Sequence, residues 1–132
     1  MQVMYNTWPT MEGEWVPESV TFALQKDGIS SFFNNVASVQ FIHRCMAYVV
    51  TVVIVYWWWK NKEDSMELRR RVINLLLSVL FIQVILGIYT LLAHVPVWMG
   101  VAHQAMAFVL FATGIYHYYI YQSTPTVKSE YI

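Results

Sequence analysis

The chain has 132 residues, room for one compact unit and no more. It is 58% hydrophobic and 12% charged, against about 25% charged in an average soluble domain, which argues against a water-soluble globule. Net charge is zero, so the balance points to neither nucleic acid nor an anionic surface as a partner, and Cys45 as the single cysteine excludes an internal disulfide or a thiolate metal cluster.

In chain order, residues 1–38 read as an outer loop region interrupted by Pro9, Gly13, Pro17 and Gly28, with one short helix over Glu18–Gln25. The stretch MQVMYNTWPTMEGEWVPES has no basic-then-apolar leader pattern. SSFFNN offers Ser30 or Ser31 as a helix cap, with Phe32 and Phe33 dipping into the membrane interface. Three apolar runs follow, at residues 39–59, 72–92 and 97–121. Each reaches the roughly 20 residues that cross a bilayer at about 1.5 Å per residue. The first carries Arg44 as its only formal charge and the others carry none. The expected fold is therefore an all-α integral membrane bundle with three transmembrane helices.

The connections set an expected orientation. The loop at residues 60–71, KNKEDSMELRRR, holds Lys60, Lys62, Arg69, Arg70 and Arg71, five of the eight basic residues. Short loops rich in Lys and Arg stay in the cytoplasm, so residues 1–38 and the turn at residues 93–96 face out, and the tail at residues 122–132 faces in. Trp57, Trp58 and Trp59 with Tyr116, Tyr118, Tyr119 and Tyr121 suit an aromatic belt on the inner side; Trp8, Trp15 and Trp98 suit one outside. Pro96 sits where the third helix begins, the position at which proline costs least.

Ionisable groups inside spans are functional candidates, because burial without a partner is expensive. His94, in the outer turn, and His117, near the inner end of the third span, read as interfacial. His43 and His103 lie deeper, about 6 Å and 9 Å below the same outer surface at the helical rise. Two imidazoles from separate helices at one level suit a metal bound from both sides, as in a haem with two axial histidines. The competing reading is two unrelated histidines, each bonded to a nearby backbone or hydroxyl group. Gly100, Ala102, Ala105 and Ala107 surround His103, and Gly114 lies beyond; small residues admit a flat cofactor or a close helix. Arg44 sits nearer the surface, where it could pair with a haem propionate or snorkel to lipid head groups. Gln83, Gly87 and Thr90 form a polar-and-small stripe suited to tight helix contact, and Gln83 could also bond a ligand. Cys45 reads as a small buried residue. The chain has no glycine-rich phosphate loop, no nucleophile-and-base arrangement and no acidic residue within a span, which argues against a proton relay or ion-coupled transporter.

Taken in order, GEWVPES (13–19), VQFIHR (39–44), IQVILGIYTLL (82–92) and HVPVWMGVAHQ (94–104) resemble the C-terminal half of haem A synthase, the cytochrome oxidase assembly protein family. The outer-loop elements YNTWP and GxWxP stand here as Tyr5–Pro9 and Gly13–Pro17. The resemblance covers nearly the whole chain and is most specific in QFxHR, LGxxTLL and VPxxxxxxHQ. It implies an eight-helix membrane protein of two related four-helix halves, each holding a haem between histidines near the outer side. The N-terminal half takes the substrate, haem O, and carries an acidic residue important for turnover; the C-terminal half binds haem B. On this resemblance His43 and His103 are the axial ligands of that haem B and its iron, with Arg44 and Gln83 as further cofactor-binding residues. The implied reaction oxidises the C8 methyl of haem O to a formyl group by successive hydroxylations, with electrons passing through the bound haem.

The chain departs from the family by lacking the N-terminal half and the first helix of the C-terminal half. It is therefore expected to be inactive alone, as a fragment or one subunit of a split enzyme, and to pair with the missing half or a second copy of itself. Other expected partners are membrane lipid and the farnesyltransferase that supplies haem O. The expected location is the bacterial plasma membrane, with the N-terminus outside and the C-terminus cytoplasmic. Two other readings remain: a small bis-histidine b-type cytochrome without enzymatic activity of its own, and a structural subunit without a cofactor.

Overall fold

The computed structural model describes residues 4–123; the expected tail beyond Ser123 lies outside the described residues. Five α-helices follow one another: α1 (Glu18–Asp27), α2 (Ser31–Asn34), α3 (Val36–Asn61), α4 (Glu67–Leu92) and α5 (Val97–Ser123), with a 3₁₀ turn at Gly28–Ser30 joining the first two. The last three are long and apolar enough to cross a membrane, as the composition predicts.

Helix ends differ from the expected limits for physical reasons. α1 runs two residues past Gln25 and stops at Gly28, whose φ of 60° is open to glycine without a Cβ penalty. Ser30 stands at the N-cap position of α2, without a side-chain capping bond, and α3 is capped elsewhere. Its cap is Asn35, whose side-chain oxygen accepts from the Ser38 amide at 3.1 Å; Ser30 instead donates to the Asp27 carbonyl. α4 begins at Glu67, so the basic connection shortens from the expected 60–71 to the non-helical residues 62–66. Polar residues at a membrane surface continue a helical hydrogen-bond ladder without cost, so helices outrun the hydrocarbon they cross. Residues 93–96 join α4 to α5: the amide of Val95 donates to the Thr90 carbonyl at 2.8 Å and that of His94 to Leu91 at 3.1 Å, closing the end of α4.

α4 is the centre of the bundle. Its buried stripe of Val72, Ile73, Leu76, Val79 and Leu80 recurs at helical spacing, and α5 contributes buried Met99, Thr113, His117 and Ile120. α3 also packs on α4, yet no Cα of α3 lies within 8 Å of one in α5 among the described residues. A gap floored by α4 thus separates α3 from α5. Along its membrane-crossing length α3 buries nothing; its two buried residues, Ala37 and Ser38, lie at its start.

Those two residues meet a cap built from the N-terminal segment. Tyr5, Met11, Val20 and Ala37 form one apolar cluster with Phe41 packed against it, and the Tyr5 hydroxyl lies 2.8 Å from Ser19 Oγ. At the opposite end, Trp58 donates to Asn74 at 2.8 Å and ties α3 to α4. Arg69, 5% exposed, lies 3.7 Å from the Asp64 carboxylate and donates to the Tyr121 carbonyl at 3.2 Å. That guanidinium, read from sequence as one of the loop cations, is inside the fold and stacked over the Tyr121 ring at 4.7 Å.

Candidate functional site

His43 projects from α3 and His103 from α5, so each is carried to the gap by a different helix. His43 is seven residues past the start of α3 and His103 six past the start of α5, which sets them at one level. Their ring centroids are 6.1 Å apart, with ring planes inclined at 76°. Two imidazoles on one metal, at about 2 Å per metal–nitrogen bond and roughly 1 Å from nitrogen to ring centre, stand about 6 Å apart. The observed separation fits one metal atom between the rings. The inclination is no obstacle, since each ring can turn about its own bond to the metal.

The neighbours of His103 come from the stripe on α4. A Cβ added at Gly87 would lie 2.7 Å from His103 Cε1, so only glycine leaves room for this ring position. Gln83 Nε2 approaches His103 Nε2 at 3.4 Å. Thr90 donates to the Leu86 carbonyl at 2.7 Å and lies 3.5 Å from the Met99 carbonyl of α5. All three stripe residues therefore face α5. Gln83 Oε1 and His103 Nδ1 are buried without a hydrogen-bond partner, a condition folded proteins avoid unless water or a ligand completes the site. Among the described residues no cluster of three or more His, Cys, Asp or Glu side chains stands ready to hold a metal ion by itself.

Other candidates fall elsewhere. Arg44 does not reach for lipid head groups: its Nη1 donates to the carbonyls of Pro9 and Thr10 at 3.2 Å each, and its Nη2 to those of Tyr5 and Thr7 at 3.2 and 2.9 Å. Only its Nε is left without a partner. Gly100 faces open space, so the glycine that matters to His103 is on α4, not beside it in sequence. His94 is exposed in the turn, as expected. His117, near the inner end of α5, is buried among side chains: it is 4% exposed, stacked on Tyr121 at 6.4 Å and edge-on to Trp57 at 6.4 Å. The run of aromatics around it was the sequence signal for that burial. Cys45 is a free, half-buried cysteine.

An all-α bundle with three helices long and apolar enough to cross a membrane, and two histidines from different helices facing each other beside a small-residue stripe, is an integral membrane protein. The chain belongs to the cytochrome oxidase assembly protein family, whose family model matches residues 1–115. It is 42% identical over 117 residues to the heme A synthase of Flavobacterium psychrophilum, an alignment covering 86% of this chain and 34% of that protein. It is 40% identical over 114 residues to the heme A synthase of Wolbachia pipientis subsp. Culex pipiens, covering 86% and 32%. The heme A synthase of Bartonella henselae is 34% identical over 119 residues, covering 87% and 32%. The chain thus spans about a third of the length of the curated relatives it matches. No solved structure gives a significant match.

Proposed function

We propose that this chain is the haem B-binding part of a haem A synthase, with His43 and His103 as axial ligands of the haem iron. The observation that carries the reading is the 6.1 Å separation of two imidazoles brought from different helices to one level. When bound, the haem supplies one-electron redox chemistry at a low-spin iron. The protein's part is to aim the two rings, one from each helix, with Gly87 on α4 leaving room for the ring of His103. Gln83 Nε2 lies 3.4 Å from His103 Nε2, so its amide would have to turn away if that nitrogen were the one to hold the iron.

The larger activity is the oxidation of the methyl group of haem O to the formyl group of haem A, for cytochrome oxidase assembly. It rests on the relatives' names and on the family. The chain supplies no acidic residue within a span and no second histidine pair among the described residues. On this reading the rest of such an enzyme, or a second copy, closes the open side of the gap, and a farnesyltransferase delivers haem O. The basic residues around 60–71 support a bacterial plasma-membrane orientation with the cap outside and the C-terminus cytoplasmic.

Expression in a haem-replete host and purification in detergent should give a low-spin bis-imidazole spectrum and one haem B per chain. Co-expression with the remaining part of a family member and a haem O source should yield haem A. Haem B without haem A in that complete system would favour a non-enzymatic b-type cytochrome; a colourless protein would end the proposal.

A further inference from the structure

Arg44 and Gln40 share one face of α3, four residues apart, and together hold a single short segment of the chain. Four backbone carbonyls, from Tyr5, Thr7, Pro9 and Thr10, converge on the Arg44 guanidinium. Gln40 pairs with both backbone groups of Tyr5, accepting from its amide at 3.0 Å and donating to its carbonyl at 2.6 Å. The segment is stiffened from within: Thr7 Oγ1 donates to the Thr10 carbonyl at 2.8 Å and accepts from the Glu12 amide at 2.7 Å. Met11 and Glu14 close it with reciprocal backbone bonds of 2.9 and 3.2 Å.

His43 lies between these two anchors in sequence. At 100° per residue it points about 60° from Gln40 and about 100° from Arg44 around the helix, so the face gripped by the cap adjoins the face that presents the imidazole. Beyond Ser38 no residue of α3 is buried and its backbone makes no close approach to α5; its side-chain ties to the other helices through Trp58 to Asn74 and through the Trp57 ring to His117 and Tyr121 lie at its far end, away from His43. A roll of about 20° would carry a side chain at the roughly 6 Å helix radius by about 2 Å, a whole metal–ligand bond length.

We propose that Arg44 and Gln40 are positioning residues for His43: they lock the segment around Tyr5–Glu14 onto α3, and this cap, rather than helix packing within the membrane, sets the rotation at which His43 meets the haem. The inference rests on the proposed haem site and reassigns Arg44 from propionate partner to loop anchor. Both Nη groups are spent on carbonyls, and a cation held by carbonyl dipoles needs no carboxylate or propionate to balance it.

The test uses the full chain loaded with haem B, and the variants Arg44→Ala, Arg44→Lys and Gln40→Leu. Two properties are read: the rate at which a protease added to the cap side cuts residues 5–14, and the g-values and midpoint potential of the haem. Arg44→Ala should be cut at least tenfold faster and should show shifted g-values or a high-spin fraction. Arg44→Lys, which keeps the charge but cannot span four carbonyls, should fall between Ala and the parent on both readouts. Gln40→Leu should raise cleavage near Tyr5 and shift the g-values in the same direction. Unchanged cleavage in Arg44→Ala overturns the anchor. Faster cleavage with an unaltered haem signal overturns the positioning role. Loss of haem affinity in both Arg44 variants with cleavage unchanged would restore Arg44 as a cofactor contact. If Arg44→Ala does not fold, the Lys and Gln40 variants decide by the same two readouts. A parent protein that binds no haem ends the proposed function and the positioning role together, while the cleavage rates still decide whether Arg44 anchors the cap.

Discussion

Replacing Gly87 with Ala adds one methyl group, and the structure says where it goes. The new Cβ would stand 2.7 Å from His103 Cε1, 3.3 Å from Nδ1 and 3.4 Å from Nε2, whereas ordinary contact is 3.4–4 Å. The imidazole must therefore retreat from α4 by roughly 0.7 Å or more, taking its metal-binding nitrogen with it. The ring sits at the end of a rotatable side chain, so the fold itself yields readily; the position of the ligand does not. Overpacking of this kind costs about 1–3 kcal/mol, which converts to roughly 5- to 150-fold weaker retention of haem at about 1.4 kcal/mol per factor of ten. The assay is titration of apoprotein with haem B in detergent, read by the low-spin absorbance and by the g-values. Gly100→Ala is the matched control. A Cβ there meets nothing within 4 Å, so haem binding should be unchanged and helix propensity should improve by up to about 1 kcal/mol. Parent-like haem affinity and g-values in Gly87→Ala would refute the claim that this glycine seats the ring of His103.

Three other outcomes are expected. His43→Ala and His103→Ala should each abolish the low-spin bis-imidazole spectrum, since either loses an axial ligand; retention of that spectrum in one variant would remove its residue from the site. His117→Ala should leave the haem spectrum intact but lower stability by about 1–3 kcal/mol through lost packing against Trp57 and Tyr121, measurable as a drop in Tm in detergent; loss of haem would mean that the ligand pair is misassigned. Asp64→Asn should destabilise the opposite end of the bundle by about 1.5–3 kcal/mol, because Asp64 accepts the Met66 amide at 2.8 Å and faces the buried Arg69; an unchanged Tm would show that the pair is replaceable there.

Chain order and helical rise carried much of this protein's design into view before any coordinates. Apolar runs of sufficient length dictate three spanning helices, because a backbone in hydrocarbon must satisfy its own hydrogen bonds. A rise of about 1.5 Å per residue likewise sets the depth of a side chain from its place in a run, so His43 and His103 could be put at one level from spacing alone. Depth is a one-dimensional property and sequence encodes it directly. Rotation about the helix axis and choice of neighbour are not, and they decided the remainder. Gly100 adjoins His103 in sequence, yet it is Gly87 on α4 that makes room for the imidazole. Arg44 looked free to meet a propionate or a head group until the fold brought four loop carbonyls to it from more than thirty residues away. Nothing local showed that Trp57 and Tyr121 would close over His117. Each of these depends on which helix packs against which. That is settled by contacts between distant parts of the chain, and no local pattern of residues records them.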